Sequence, residues 1–358
     1  MVTVLGFDIG GANTKAAYLR SRMGLVTEFR TASEYFPFWK RDMQQLRDLL
    51  VTIKHTLAGS VKIDSVVVTM TAELSDIFLT KRDGVFQILD AVVDAFESTH
   101  IWVLDTDANL KSIEEAKEEP LKVASANWVA TGWMVAQHIR DCVIIDVGST
   151  STSIIPVING KIAAKGKTDL EKLIAGELVY TGSLRTNIAT IVQKIPLRDG
   201  LARVSSELFA QSGDVHLILR HIAEAEYTSD TADGRDQNRA NSLARLARTI
   251  CADSEMLTES ELIDIAKYIY DQQLQQIAEG ITQVYSNFGP NAKASIPAVV
   301  TGLGKDFLSY KSAEKANIKK ILDVIEILPK EVALVSPATG VTLMVANKLE
   351  WKGLRWTP

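Results

Sequence analysis

The chain has little cysteine. Only Cys142 and Cys251 occur among its 358 residues, with no paired spacing, which argues against a disulfide framework or a zinc cluster. Both are expected to be small apolar packing residues. No apolar run reaches the roughly 18 residues that a membrane-crossing helix needs, so no membrane partner is expected. The first residues lack the basic and then apolar order of a secretory leader. A cytoplasmic protein is the expectation. There is no excess of positive charge either: 39 Lys and Arg stand against 44 Asp and Glu, for a net charge of −5. That balance argues against a nucleic-acid partner held on a broad basic face and leaves room only for a local basic pocket.

What remains is an ordinary globular mixture, 46% hydrophobic and 23% charged, long enough for two domains. Its most informative stretch is the first. Val4-Leu5-Gly6-Phe7-Asp8-Ile9-Gly10-Gly11-Ala12-Asn13-Thr14-Lys15-Ala16-Ala17-Tyr18-Leu19 is an apolar run ending on an acid, two glycines, small polar residues and a second apolar run. It reads as strand, tight turn, strand. Gly10 and Gly11 are expected to adopt backbone angles closed to other residues, turning their N–H groups into a nest for an anion. A carboxylate beside an anion makes sense mainly through a divalent cation, so Asp8 suggests Mg²⁺. Asn13, Thr14 and Lys15 add donors and one positive charge.

The same grammar recurs at Val143–Ile155, where Asp146-Val147-Gly148-Ser149-Thr150-Ser151 joins two apolar runs. Internal repetition of this kind points to a duplicated architecture. A third turn, Thr301-Gly302-Leu303-Gly304-Lys305, follows the apolar run from Pro297. Its glycines allow close backbone approach, and the helix start after it favours an anion.

Between these landmarks, strands are expected at Leu25–Thr31, Ser65–Met70, Ile101–Leu104 and Lys161–Ala164. Helices are expected over Trp39–Leu57, Gly84–Ser98, Ser125–Ala136 and Glu259–Phe288. Strands alternating with helices give an α/β class. Thr71-Ala72-Glu73-Leu74-Ser75-Asp76 sits at a strand end, where α/β sites gather. The small-residue helix at 125–136 is read as packing between domains, with Asn127 kept as a ligand contact. Lys165–Asp169 is read as a solvated loop. Arg185 follows a glycine-framed turn and is a candidate anion contact. Residues 225–238 read as a long, mobile polar loop; Arg235, with Arg239, is a candidate lid over a diphosphate. Ser336 is read as the cap of a last helix, with Pro337 in its first turn, returning to the first domain.

The ordered triplet Asp8-Ile9-Gly10-Gly11, Asp146-Val147-Gly148-Ser149 and Thr301-Gly302-Leu303-Gly304 resembles the actin/hexokinase/Hsp70 superfamily. The resemblance implies two ribonuclease-H-like (actin-like ATPase) domains with an interdomain cleft: residues 1–138 plus 336–358, and residues 139–335 with a helical insertion around 168–290. Gly6–Lys15, Met70–Asp76, Ala126-Asn127-Trp128, Gly176–Gly182 and Thr231–Arg235 resemble more closely the tetrahydromethanopterin-linked one-carbon branch of the hydantoinase/oxoprolinase-related proteins. That resemblance implies a transferase of methanofuran biosynthesis. It would join the phenol oxygen of γ-glutamyltyramine to an aminomethylfuran-methyl diphosphate and release diphosphate.

The resemblance assigns Asp8 and Asp146 to Mg²⁺. Phosphate contacts fall on Gly10, Gly11, Asn13, Thr14, Lys15, Gly148, Ser149, Thr150, Ser151, Gly302, Gly304, Lys305, Arg185 and Arg235. Glu73 or Asp76 is a base for the phenol proton, or else a capping or solvated loop residue. The alternative is an ATP-dependent kinase or a hydantoinase/oxoprolinase-type hydrolase, so a nucleotide is compatible with the fold but not required. The expected partners are small-molecule substrates, and a homodimer is compatible with them.

Overall fold

The computed structural model describes residues 1–333, 335–350 and the backbone of 355–356. The chain is mixed α/β and splits into two compact units. One comprises residues 1–141, 157–172 and 324–358; the other comprises 142–156 and 173–323.

In the first unit, β1 (Val2–Ile9) pairs antiparallel with β2 (Asn13–Arg22), and β2 with β3 (Leu25–Tyr35). On its other side β1 pairs in parallel with β4 (Ser65–Met70), and β4 with β5 (His100–Leu104). The continuous apolar run at 65–70 is buried at every position, as a strand covered on both faces must be. Helix α1 (Met43–Ala58) begins where Asp42 accepts from the Gln45 amide at 2.8 Å and Gln45 returns a bond to Asp42. This capping box separates α1 from a 3₁₀ turn at Phe38–Lys40, so the expected start at Trp39 is too early. Thr80 caps α2 (Lys81–Ala95) by accepting from the Asp83 amide, and α2 starts three residues before the expected position. The two helices cover one face of the sheet through Leu46, Leu50, Ile53, Val85, Ile88 and Val92.

The opposite face holds the last helix, Ser336–Glu350, which packs on β1, β2 and β4. Ser336 is its first residue rather than its cap; the hydroxyl donates to the Ala333 carbonyl at 2.8 Å. Helix α3 (Asn127–Ala136) packs against this same helix, within the unit.

The second unit repeats the plan. Strand β6 (Cys142–Val147) lies between β7 (Thr152–Ile158) and β8 (Ala298–Thr301), and β8 pairs with β9 (Ile321–Asp323). Strands β6, β8 and β9 run parallel. In both units, then, a hairpin is extended by parallel strands from its first member. The long helix α6 (Glu259–Ser286), with a capping box at Thr258 and Glu261, packs Leu274, Ile277, Ile281 and Val284 against Val143, Ile145 and Ile154. Its N-terminal half supports a second core with α4 (Ser212–Ile218) and α5 (Arg239–Arg248). Cys142 is buried as expected, but Cys251 is exposed at φ +57°, a turn residue rather than a packing one. Tyr270 and Tyr285 pack in this core, each donating to a backbone carbonyl. Among the described residues, no helix is long and apolar enough to cross a membrane.

An ion pair organises the helical part. Arg245 and Asp214 are both fully buried, 2.7 Å apart, and Ser242 donates to the same carboxylate oxygen at 2.9 Å. Arg245 also reaches Asp233 at 3.1 Å, and Arg248 reaches it at 3.0 Å. Asp233 belongs to the loop expected to be mobile, and these two arginines anchor it. Arg239 is committed elsewhere: it donates to the Ile218 carbonyl and pairs with Glu259 at 2.7 Å.

Removing one partner of a buried pair leaves the other charged and unsolvated. Asp214→Ala should therefore lower stability by about 3–5 kcal/mol in urea titration, far more than loss of the exposed Arg198–Glu261 pair.

Candidate active site

Each hairpin turn is closed by one hydrogen bond at the same place. The Gly10 amide donates to the Asn13 carbonyl at 3.0 Å, and the Gly148 amide to the Ser151 carbonyl at 2.9 Å. Neither these glycines nor Gly11 has a positive φ. The expected nest built on left-handed glycine angles is therefore not formed, and the first glycine of each turn has its amide committed to the turn itself.

The open donors lie one step further on. In the first turn the carbonyls of Gly11 and Ala12 accept from Phe38 at 3.0 Å and Phe36 at 2.8 Å. In the second, the Gly148 carbonyl accepts from Ser183 at 3.0 Å, and the Ser149 carbonyl from Leu184 and Arg185 at 2.9 and 3.0 Å. The C=O and N–H of a trans peptide point in opposite directions. Bracing the Gly11 carbonyl thus aims the Ala12 amide away from Phe38. Bracing Gly148 and Ser149 likewise aims the Ser149 and Thr150 amides away from residues 183–185. Among the described residues, the amides of Gly11, Ala12, Ser149 and Thr150 donate to nothing. Open amides of this kind suit an anion.

Acids stand at the mouths of both turns. Asp8, 6% exposed, is opposite Lys15 on β2 and beside Thr69 on β4. Asp146 is the next-to-last residue of β6, beside Thr301. The third turn is locked against it. A Cβ on Gly302 would lie 2.4 Å from the Val147 carbonyl oxygen and 2.5 Å from Asp146 Oδ1, at φ +90°. The Gly304 amide donates to the Val147 carbonyl at 3.0 Å. Arg185 joins this site too, its guanidinium donating to Thr150 Oγ1 at 3.3 Å.

Other candidates stand apart. Lys305 is paired with Asp323, so its ammonium is already neutralised locally. Arg235 is exposed and makes its one ion pair, among the described residues, with Asp233 at 3.9 Å. Asn13 and Thr14 start β2, with Thr14 buried. Asp76 lies in the loop after the 3₁₀ turn Ala72–Leu74 and forms no ion pair among the described residues. No group of three or more His, Cys, Asp or Glu able to hold a metal occurs among the described residues. Each turn offers one carboxylate, which suits Mg²⁺ that keeps most of its waters.

Glu73 is neither a cap nor solvated. It is 1% exposed, on a turn that Gly84 of α2 meets so closely that a Cβ there would lie 2.7 Å from Glu73 Cα. Its Oε1 lies 2.6 Å from Ser125 Oγ, which lies 2.7 Å from Asp169 Oδ2. Lys81 Nζ sits 2.6 Å from that Asp169 oxygen and 3.1 Å from Ser125 Oγ. Ser125 is held at φ +52°, a conformation with a cost that the surrounding contacts must offset. Burial pushes the Glu73 carboxyl above its ordinary range, against the opposing effects of Ser125 and Lys81. In the segment at 165–169 both lysines are exposed, as a solvated loop requires, with Lys167 paired to Asp107 at 2.9 Å, while Asp169 turns into this cluster.

The second turn has a buried brace that the sequence did not reveal. Gln273 donates to the Gly182 carbonyl at 2.8 Å and to Thr181 Oγ1 at 3.0 Å. Its own carbonyl is 3.1 Å from His216 Nε2. Burial, with His221 beside it, pushes the His216 pKa down to about 3, so the ring is neutral and Nε2 carries the donated proton.

A family model described as hydantoinase/oxoprolinase matches residues 64–345. The chain belongs to that family. It is 37% identical over 350 residues to the (4-{4-[2-(gamma-L-glutamylamino)ethyl]phenoxymethyl}furan-2-yl)methanamine synthase of Methanocaldococcus jannaschii, covering 98% of this chain and 99% of that one. It is 38% identical over 221 residues to the Methanococcus vannielii protein of the same name, covering 61% and 97%. Among solved structures it is similar to nucleotide-free acetone carboxylase, from work on ATP-dependent acetone carboxylation. The TM-score is 0.61 at 12% identity, over 96% of this chain and 70% of that one; the likeness concerns fold alone.

Two outcomes follow from the geometry. Gly302→Ala should lose roughly 1–3 kcal/mol from backbone strain, with more from its clash, measured as a shift of the denaturant midpoint. Native Glu73 keeps its proton to higher pH than the unfolded carboxyl does. Wild-type stability should therefore fall as pH rises from the ordinary carboxylate range through the native value. Glu73→Gln should flatten that part of the stability profile; an unchanged slope would contradict it.

Proposed function

We propose that this chain is an alkyl-transferring synthase that forms an aryl ether. The observation that carries the reading is the full-length similarity to the Methanocaldococcus jannaschii synthase. Its product name contains a phenoxymethyl-furan. The bond to be made is therefore between a phenol oxygen and the methylene carbon of an aminomethylfuran, with γ-glutamyltyramine as the phenol. The leaving group is diphosphate, and the pathway is methanofuran biosynthesis, linked to tetrahydromethanopterin-dependent one-carbon metabolism. Each unit is read as one ribonuclease-H-like half of an actin-like ATPase fold.

The chemistry asks the protein for little covalent work. Negative charge grows on the departing diphosphate, and preorganised donors stabilise such charge without reorganising. The open amides of Gly11 and Ala12 in one turn, and of Ser149 and Thr150 in the other, are suited to that task. Arg185, drawn to Thr150, adds positive charge at the second turn. Asp8 in one unit and Asp146 in the other are each a residue that would hold Mg²⁺ through water, and such an ion would neutralise diphosphate charge. The furan ring donates electron density to its CH₂ carbon, so departure of diphosphate can lead attack by the phenol. The remaining demands are orientation of the phenol oxygen and exclusion of water.

The family-level match favours a second reading, an ATP-dependent hydrolase or kinase of the hydantoinase/oxoprolinase kind. One assay separates the two. Full-length protein with Mg²⁺, γ-glutamyltyramine and the furan-methyl diphosphate should release diphosphate and form the ether without ATP. Substrate-stimulated ATP hydrolysis with no ether would favour the alternative. In the same assay Asp8→Asn should lose about 10²–10³-fold in kcat while its urea midpoint stays close to wild type.

A further inference from the structure

The cluster around Ser125 raises a question of proton number. A serine hydroxyl has one proton to donate and two lone pairs to accept with. Ser125 Oγ lies 2.6 Å from Glu73 Oε1 and 2.7 Å from Asp169 Oδ2. Both are hydrogen-bond distances for O–H···O, yet one serine proton can serve only one of them. The other contact needs a proton that belongs to a carboxyl group. Asp169 is the ionised partner: Lys81 sits 2.6 Å from it, and its side chain is 19% exposed. Glu73 is the protonated one. It is 1% exposed, and Lys81 is 3.7 Å away. This assignment satisfies every group at Ser125. Oε1–H of Glu73 and Lys81 donate to Oγ, and Oγ–H donates to Asp169.

One atom remains. Glu73 Oε2 is buried and has no hydrogen-bond partner. An unpaired buried acceptor is costly unless something binds there. It stands just beyond the carboxyl end of β4, the side of a parallel sheet where ligands bind.

We propose that Glu73, Ser125 and Asp169 form a proton relay, in which Glu73 Oε2 takes the proton of the phenol while Glu73 Oε1 passes its own through Ser125 Oγ to Asp169. The inference rests on the ether-forming reading above. In the step, the phenol O–H bond breaks and the phenol oxygen bonds to the furan methylene carbon. The bond from that carbon to diphosphate breaks, and its electron pair leaves on diphosphate. The proton ends on Asp169, next to Lys81 and open to water, where it is lost before the next turnover. A neutral carboxylic acid can serve here as acceptor because it gains a proton at one oxygen as it gives one up at the other. Burial, which pushes the Glu73 carboxyl up, favours that neutral form. The charged groups facing it are Lys81 and Asp169.

The test has two arms on the full-length protein. In the infrared spectrum at neutral pH, wild type should show a carboxylic-acid C=O band that is absent from Glu73→Gln and retained in Asp169→Asn. Absence of that difference overturns the relay whatever the activity. In the second arm, ether formation is measured with γ-glutamyltyramine and with a ring-fluorinated analogue whose phenol is already ionised at the assay pH. Glu73→Gln and Asp169→Asn should lose about 10²-fold or more in kcat with the ordinary phenol, KM being little changed. Both should recover most of that loss with the ionised one. Equal impairment with the two phenols, or none with either, overturns the relay. No ether from wild type with either phenol would instead overturn the synthase reading, leaving the infrared arm to decide the protonation of Glu73.

Discussion

The fixed antiparallel geometry of C=O and N–H in a peptide plane underlies both turns. In each hairpin the chain spends its turn carbonyls on neighbours: Phe36 and Phe38 in one unit, Ser183, Leu184 and Arg185 in the other. The amides that follow the Gly11, Gly148 and Ser149 carbonyls in the chain are then left open. No glycine in a left-handed conformation is needed for this, and none occurs at Gly10, Gly11 or Gly148. The donor arrays are made by distant strands and loops pulling on carbonyls. Their rigidity is therefore the rigidity of the units.

That dependence explains much of the surrounding structure. In the second unit, Gly182 can lie on the Ser149–Thr150 backbone only because it has no side chain. Gln273 of α6 holds the Gly182 carbonyl in place, and a neutral His216 holds Gln273. Gly302 and Gly304 bring the end of β8 against Val147 and Asp146. The buried Arg245–Asp214 pair ties the preceding loop to the helices that support α6.

The hairpins, the buried run at 65–70, the small-residue helix and the long helix at 259–286 were legible because local periodicity and turn residues dictate them. Helix starts were misplaced where a cap decided the boundary, as at Asp42 and Thr80. The glycine-rich turns drew attention as anion sites with donors expected at Gly10–Gly11 and Gly148–Ser149, but that the Gly10 and Gly148 amides close their own turns was not legible, because a sequence does not show which groups bond within a turn. Lys305 drew attention as a phosphate contact, although it is paired with Asp323, 18 residues away. Glu73 was named, with Asp76, as a base for the phenol proton or else a capping or solvated loop residue, and nothing local to the strand end separated the two. The residues that give it chemical character come from elsewhere in the chain: Ser125 is 52 residues distant, and Lys81 and Asp169 are 88 apart from each other. Such contacts arise from tertiary folding and leave no local signal.

The central claim is that the open amides of each turn are donors able to hold a phosphate group. The most direct measurement is a titration of ¹⁵N-labelled protein with inorganic diphosphate and Mg²⁺, followed through the assigned amide resonances. The account predicts that Gly11, Ala12, Ser149 and Thr150 each shift saturably, while Gly10 and Gly148, already bonded within their turns, move less. Saturable shifts confined to other amides, with these four unmoved, would contradict it.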